Sequence, residues 1–324
     1  MWLREGWESF RLISHQALPL QIHPNKDLAA KLHQKDSEKF TDSNPKPEIA
    51  IALGDFEAFV GWKPLGDVEL LFNNVDILKH HIPISGAKWT DDTLKKVVNK
   101  LLKLEETQAK ELFDKLTAVP KEQWGQESKM QALLPRLADQ YGKADSGTLV
   151  AVLCMNFLTL KRGEALYIPA DGVHTYLAGD ILECMARSDN MLASGFCTEA
   201  EKDKIDLFTD AVTYDYKSPD KCILKPGKSE KGTKGKTLQY APPLSEFKVL
   251  QTKLGKGEME QLKGIEGPGI LCVTKGKGRV SGVRQDLVVQ EGYVFFVGHG
   301  IGLDIVADDD LEDGLETHFA VCEV

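Results

Sequence analysis

The sequence predicts a mainly β protein with an inserted α-helical domain, and three observations carry that prediction. Up to about Pro64, short apolar runs alternate with turn residues, the pattern of strands that bury a face. From Asp91 to about Tyr141 the apolar positions change to helical spacing, with Leu94, Val97, Val98, Leu101 and Leu104 on one stripe. From Thr148 the strand-and-turn pattern returns and persists to the C-terminus, so the helices interrupt a β unit rather than follow it.

Taken in order, Ala17–Pro24, Glu48–Leu53 and Phe56–Trp62 read as strands, with a short helix over Asp27–Lys35 between the first two. Asp91 or Asp92 supplies the N-cap of the helical stretch, whose other face carries Lys and Glu. Thr148–Thr159 and Ala165–Pro169 read as strands, with turns at Arg162-Gly163 and Asp171-Gly172. Residues 225–236 hold Lys and Gly without an aromatic and read as a solvated loop or linker. Beyond them, Gly269–Thr274, Leu287–Val289, Tyr293–Val297 and His318–Cys322 are short strands separated by Gly turns, as in a small sandwich or jelly roll. The expected division is a first β-domain of residues 1–65 and 145–215, a helical insertion of 66–144, a linker of 216–237 and a second β-domain of 238–324.

With 324 residues, 42% hydrophobic and 27% charged, the chain has the make-up of a globular protein large enough for more than one core. Its formal charge of −9 argues against general nucleic-acid affinity, which needs clustered Lys and Arg. No apolar run reaches the ~18 residues needed to span a bilayer, and the opening Met1-Trp2-Leu3-Arg4 lacks a signal-peptide core. The six cysteines stand singly, without a C-x-x-C pair, which fits free thiols in a reducing compartment. A cytoplasmic protein with no nucleic-acid or membrane partner is expected.

Chemistry concentrates at four residues. Gln21-Ile22-His23 sets an amide oxygen and an imidazole at i and i+2, on one face of a strand. Glu48 opens an apolar strand after the Lys46-Pro47 turn, and His174 follows the Pro169–Val173 turn. Two His, one Glu and one Gln make a donor set that suits a borderline divalent ion such as zinc. Each residue also has a plain structural reading, a hydrogen-bonded His near a strand end or a solvated Glu at a strand entry, and composition alone does not choose between them.

Around these residues the sequence resembles the type I phosphomannose isomerases. The resemblance is carried by Gln21-Ile22-His23-Pro24-Asn25-Lys26, by Lys46-Pro47-Glu48 through Leu53, and by Phe56 through Gly61. It continues at Gly163-Glu164-Ala165, at Ile168 through Asp180, and at Glu183-Cys184-Met185-Ala186 and Ser188-Asp189-Asn190, in order and at compatible spacing. It implies cupin, or jelly-roll, β-domains around a helical insertion. It further implies one zinc per chain on Gln21, His23, Glu48 and His174, with Lys46, Tyr176 and Glu183 in the substrate pocket. The implied activity is exchange between mannose 6-phosphate and fructose 6-phosphate through a cis-enediol, feeding GDP-mannose synthesis, with Glu183 and Lys46 as the catalytic residues and a small sugar phosphate as partner; the sequence does not fix the oligomeric state, and a monomer is favoured.

The chain departs from the family pattern in three places. A catalytic arginine of the family falls on Ala193, and Arg187 nearby is expected to point elsewhere. A family serine two residues before the Gln ligand is Pro19, and the family's Thr-Pro-Lys is not kept at Cys197–Lys202, leaving Lys202 as the substitute. The family's N-terminal strands are almost wholly absent before Gln21, with Arg11 near the place of a family lysine. Loss of a charge that stabilises a transition state costs ~10²-fold or more in rate, so a weak or inactive paralogue that binds sugar phosphate is the alternative function. A seed-storage or oxygenase type of bicupin is disfavoured, since His299 and His318 stand without an H-x-H pair.

Overall fold

Seven strands form the first sheet: β1 Trp7–Ser14, β2 Leu20–Ile22, β3 Glu48–Trp62, β4 Met155–Leu160, β5 Ala165–Ile168, β6 His174–Ala186 and β7 Leu192–Gly195. The computed structural model describes residues 7–14, 17–82, 88–243, 247–283, 285–309 and 314–322, the first of these by backbone alone. The sheet runs β4-β3-β6-β2-β7, with β1 also on β6 and β5 on β3. Arg11 pairs its backbone with Leu182 on β6, and its side chain lies outside the described residues.

The two runs Glu48–Leu53 and Phe56–Trp62, read as separate strands, are one 15-residue strand whose register with β6 shifts between Ala52 and Phe56. At that irregularity Gly179 of β6 has φ 115°, and a Cβ there would meet the Asp55 carbonyl oxygen at 2.3 Å. Only glycine accepts both the angle and the approach. β3 is buried on both faces: Ile49, Ile51 and Leu53 face one cluster, while Ala50, Ala52, Phe56 and Ala58 face another. Full burial of an Ile contributes about 1.5–3 kcal/mol, so the alternation fixes the register of this strand firmly.

The expected short helix is Lys26–Lys35, with the Asn25 side chain accepting from the Leu28 N–H as its N-cap. The helical stretch begins well before Asp91, at Leu65–Asn74 and Asp76–His81. The helix Asp91–Leu102 buries Leu94, Val97, Val98 and Leu101 as predicted, but its cap is Thr90, whose hydroxyl accepts from the Thr93 N–H. Thr148–Cys154, read as strand, belongs to a helix, Ser146–Cys154, with every residue buried. A short charge-free apolar run carries no usable period. The Asp145 side chain decides it by capping the Thr148 N–H, after which β4 starts at Met155.

The second sheet contains nine strands: β8 Gly227–Lys228, β9 Thr237–Tyr240, β10 Phe247–Leu254, β11 Met259–Leu262, β12 Gly269–Gly282, β13 Gln285–Gln290, β14 Val294–Val297, β15 Leu303–Ala307 and β16 Leu315–Cys322. Its order is β11-β15-β12-β16-β10-β9-β8, with β13 and β14 on β12. The Lys/Gly-rich stretch is not an unattached linker, because it carries β8, and the buried Glu260 accepts the N–H groups of Lys234 and Lys236 at 2.7 Å each. The two sheets share an apolar layer in which Ile49, Ile51 and Cys184 meet Tyr240, Val249 and Cys272. None of the six cysteines, all among the described residues, is in a disulfide. No described helix is long and apolar enough to cross a membrane.

Candidate metal centre

Three separate stretches of chain bring the expected ligands together at one end of the first sheet. Gln21 lies on β2 with His23 just past its end, Glu48 is the first residue of β3, and His174 the first of β6. The register sets Gln21 opposite His174, and Gln21 Nε2 lies 3.2 Å from His174 Nε2. His23 Nε2 is 3.0 Å from Glu48 Oε1, and His174 Nε2 is 3.5 Å from Glu48 Oε2. His23, Glu48 and His174 each offer a donor atom within 4.8 Å of the others, and their exposure is 1%, 2% and 0%.

Both imidazoles turn the same nitrogen inward. His23 Nδ1 lies 2.8 Å from the Asn190 carbonyl oxygen, and His174 Nδ1 lies 3.0 Å from that of Gly172. A carbonyl can only accept, so each Nδ1–H donates, and in the neutral ring each Nε2 presents a lone pair to the cluster. His23 Nε2 is buried without a well-aligned hydrogen bond, which costs about 1–3 kcal/mol. With the imidazole neutral, the Nε2 lone pair of His23 and the Glu48 carboxylate face each other at 3.0 Å, an arrangement that a divalent cation would relieve. A half-turn of the Gln21 amide exchanges nitrogen for oxygen and supplies a fourth donor. The residues therefore fit a metal ion of the zinc type.

The surrounding groups set the charge. Burial pushes the Glu48 carboxyl up, but positive charge on His23 and hydrogen bonds from His174 and His23 outweigh it and hold Glu48 well below the usual carboxylate range, and a cation bound among them would act with the same sign. Lys46 Nζ stands 3.5 Å from Glu48 Oε1, and the Tyr176 hydroxyl donates to Glu48 Oε2 at 3.4 Å. Burial, and then the neighbouring Glu48 carboxylate, raise Glu183 well above its ordinary range. Burial and the same two carboxylates raise Tyr176. All seven residues expected from the sequence thus fall in one neighbourhood.

Several supports went unseen in the sequence. Asp171 sits at φ 63° and accepts from the Asn25 backbone N–H and side-chain amide at 2.7 and 2.6 Å, while its own N–H donates to the His23 carbonyl. This ties the turn before His174 to the segment carrying His23. Asn190 presents its carbonyl to His23 while its side-chain amide donates to Asp42 and Asn44 oxygens. The Asp-Gly turn and the Asn before a helix were visible signals of position, but their mutual contact was not.

Two of the three departures are also placed. Ala193 lies on β7 opposite Gln21 and is fully buried, its N–H donating to Asp203 Oδ2 at 2.9 Å. Arg187 is exposed just past the end of β6. Lys202 pairs with Glu199, and Pro19 is half-buried just before β2. A cavity of about 420 Å³ lined by Trp62, Pro169, Lys217 and Cys222 lies elsewhere, since none of the seven site residues lines it.

Two β-sheets, an inserted helical segment and a buried Gln/His/Glu/His cluster at a strand end define a cupin protein with a metal-type centre. The profile described as phosphomannose isomerase type I, catalytic domain, matches residues 10–65, and phosphomannose isomerase type I C-terminal matches residues 238–281. Mannose-6-phosphate isomerase of Ogataea parapolymorpha is 33% identical over 97% of this chain and 76% of its own length. That of Candida albicans is 35% identical over 94% and 75%. The chain belongs to the type I phosphomannose isomerase family. Among solved structures, a mannose 6-phosphate isomerase bound with zinc and yttrium superimposes with TM-score 0.79 at 22% identity, covering 98% of this chain and 80% of that one. An arginine-to-alanine mutant of phosphomannose isomerase from Salmonella typhimurium gives TM-score 0.78 at 23% identity, over 98% and 79%. At these identities the structures establish the fold.

Proposed function

We propose that this chain interconverts mannose 6-phosphate and fructose 6-phosphate through a cis-enediol, with one zinc per chain, as a cytoplasmic monomer supplying GDP-mannose synthesis. The reading includes the division into two cupin β-domains, residues 1–65 with 145–215 and 238–324, around the helical insertion 66–144 and the connection 216–237. The observation that carries it is the buried His23–Glu48–His174 cluster with its inward lone pairs, in a family member whose relatives bear the isomerase name.

Gln21, His23, Glu48 and His174 would hold the ion, which when bound supplies Lewis-acid stabilisation of charge developing on the sugar oxygens. Lys46 adds positive charge on the same side, beside Glu48. Tyr176 fixes the Glu48 carboxylate through its hydroxyl. Glu183 is the carboxyl placed to carry the proton between C2 and C1. The protein's tasks are thus to hold the sugar beside the ion and to move one proton along it.

Ala193 favours a second reading, a paralogue of weak or no activity that binds sugar phosphate. No guanidinium stands at that position, and Arg187 is exposed. The test is a coupled assay of fructose 6-phosphate formation on zinc-loaded parent and Ala193→Arg proteins. Turnover by the parent supports the isomerase. Turnover gained only in the variant supports the paralogue, and silence in both, with zinc bound, overturns the isomerase reading for this chain.

A further inference from the structure

The second sheet contains a constellation that mirrors the first. On β10 and β16 the register sets Gln251 opposite His318, with Gln251 Nε2 3.1 Å from His318 Nε2, as β2 and β6 set Gln21 opposite His174 at 3.2 Å. Glu316 Oε1 lies 3.7 Å from His318 Nε2, where Glu48 lies 3.5 Å from His174. Gln251, Glu316 and His318 are 2%, 6% and 0% exposed. His318 Nδ1 is 2.9 Å from Thr274 Oγ1, and that hydroxyl is directed at the main-chain and side-chain oxygens of Glu316. The threonine therefore donates to Glu316 and accepts from His318 Nδ1–H, which leaves the Nε2 lone pair facing inward. The cross-strand Gln–His pairing and the inward Nε2 repeat; among the described residues no second histidine stands in the place of His23, and Glu316 shares its strand with His318, where Glu48 comes from a strand of its own.

A further difference is a resident cation. Arg162 Nε stands 3.3 Å from Glu316 Oε2, its NH2 donates to the Thr274 carbonyl at 3.3 Å, and its NH1 donates to the Leu53 carbonyl. Lys253 Nζ is 4.0 Å from the same carboxylate oxygen. Arg162 comes from the turn between β4 and β5 of the first sheet, so a guanidinium of one sheet neutralises the buried carboxylate of the other. The Tyr240 hydroxyl lies within reach of both the Gly163 carbonyl and Gln251 Oε1, at 2.6 and 3.1 Å, which fastens the same turn a second time.

We propose that Gln251, Glu316 and His318 form a second divalent-metal site in which Arg162 stands in place of the ion, locking the two sheets together and keeping the site closed to metal. The inference goes beyond the isomerase reading and concerns a separate site. It makes Arg162 a substitute for a metal bond, and it implies that removing the guanidinium opens the site to a borderline ion.

The test uses the full chain, stripped of metal and titrated with cobalt(II), whose visible absorption reports ligation. Arg162→Gln, or the double variant R162Q/K253Q where Lys253 moves into the gap, should bind one equivalent more than the parent. Adding His318→Ala should remove that extra equivalent. Because the readout is a difference from the parent, it does not depend on what the first site binds. Before metal is added, the lock predicts faster labelling of the buried Cys184 and Cys272 thiols by an aromatic disulfide reagent in R162Q than in the parent, with cobalt slowing it again. If R162Q folds poorly, recovery of its circular dichroism by cobalt supports the site, and failure to recover while Arg162→Lys folds normally overturns it. Binding by neither R162Q nor R162Q/K253Q beyond the parent's level also overturns it.

Discussion

Asn190→Ala should weaken zinc binding although Asn190 contributes no ligand atom. The two N–H groups of its side-chain amide are shared among three oxygens, the Asp42 carbonyl at 2.8 Å, Asp42 Oδ1 at 3.1 Å and the Asn44 carbonyl at 3.3 Å. Its own carbonyl holds His23 Nδ1–H at 2.8 Å. Truncation leaves that carbonyl present but unanchored, so the imidazole loses its fixed orientation. Loss of such outer support typically costs 10–100-fold in metal affinity, or about 1.4–2.7 kcal/mol. Two donated hydrogen bonds at about 0.5–1.5 kcal/mol each predict an accompanying loss of about 1–3 kcal/mol in stability. The assay is competition for zinc against a chromophoric chelator, beside urea denaturation of the metal-free protein. Asp42→Ala, which removes one anchor from the opposite side, should shift affinity in the same direction. A variant that loses the stability but binds zinc within twofold of the parent would show that the Asn190 loop plays no part in orienting His23.

Asp145→Ala should cost about 3 kcal/mol in urea denaturation, because the buried carboxylate accepts from the Thr148 N–H and hydroxyl and from the Phe196 N–H. Burial raises its pKa against the pull of those bonds, so the neutral Asp145→Asn should lose much less, and equal losses would contradict the account. Burial also depresses His318 from 6.5 to about 4. The unfolded chain takes up that proton below pH 6.5 while the folded chain waits until about 4. The residue's contribution is therefore complete above pH 6.5 and is lost as pH falls to about 4, up to about 3 kcal/mol in all. His318→Asn should flatten that part of the stability curve, and an unchanged slope between those values would refute it. Zinc at a hundred times its Kd should stabilise the parent by about 2.7 kcal/mol, and thermal melts with and without a chelator should show no such difference in His174→Ala.

How much of this was legible depended on range. The proposed ligands Gln21, His23, Glu48 and His174 could be singled out because strand period and turn chemistry place each side chain at a strand end, and because the surrounding residues resemble a known family. The helix Ser146–Cys154 could not, since nine buried residues leave no polar face to set a period. The choice of Thr90 over Asp91 as cap turned on a single reciprocal pair with Thr93. His318 looked solitary because its partners are not at i and i+2 on the donor side alone: Glu316 is, but Gln251 comes from β10, across the ladder. Long-range registers of this kind follow from the folding of the whole sheet and have no local signature.

Gly147 and Gly195 touch backbone to backbone, and a Cβ added at Gly147 would lie 2.5 Å from the Gly195 Cα, while one added at Gly195 would lie 2.4 Å from the Gly147 Cα. The helix and the strand bearing Ala193 are therefore mated like two planed surfaces with no shim between them. Such a joint has almost no compliance, so strand β7 cannot back away to admit a larger residue next to Gln21. The side chain of an Ala193→Arg variant must find its room entirely on the side of the cluster, which makes the freedom of neighbouring side chains, rather than that of the backbone, the quantity that decides whether a guanidinium can be held there.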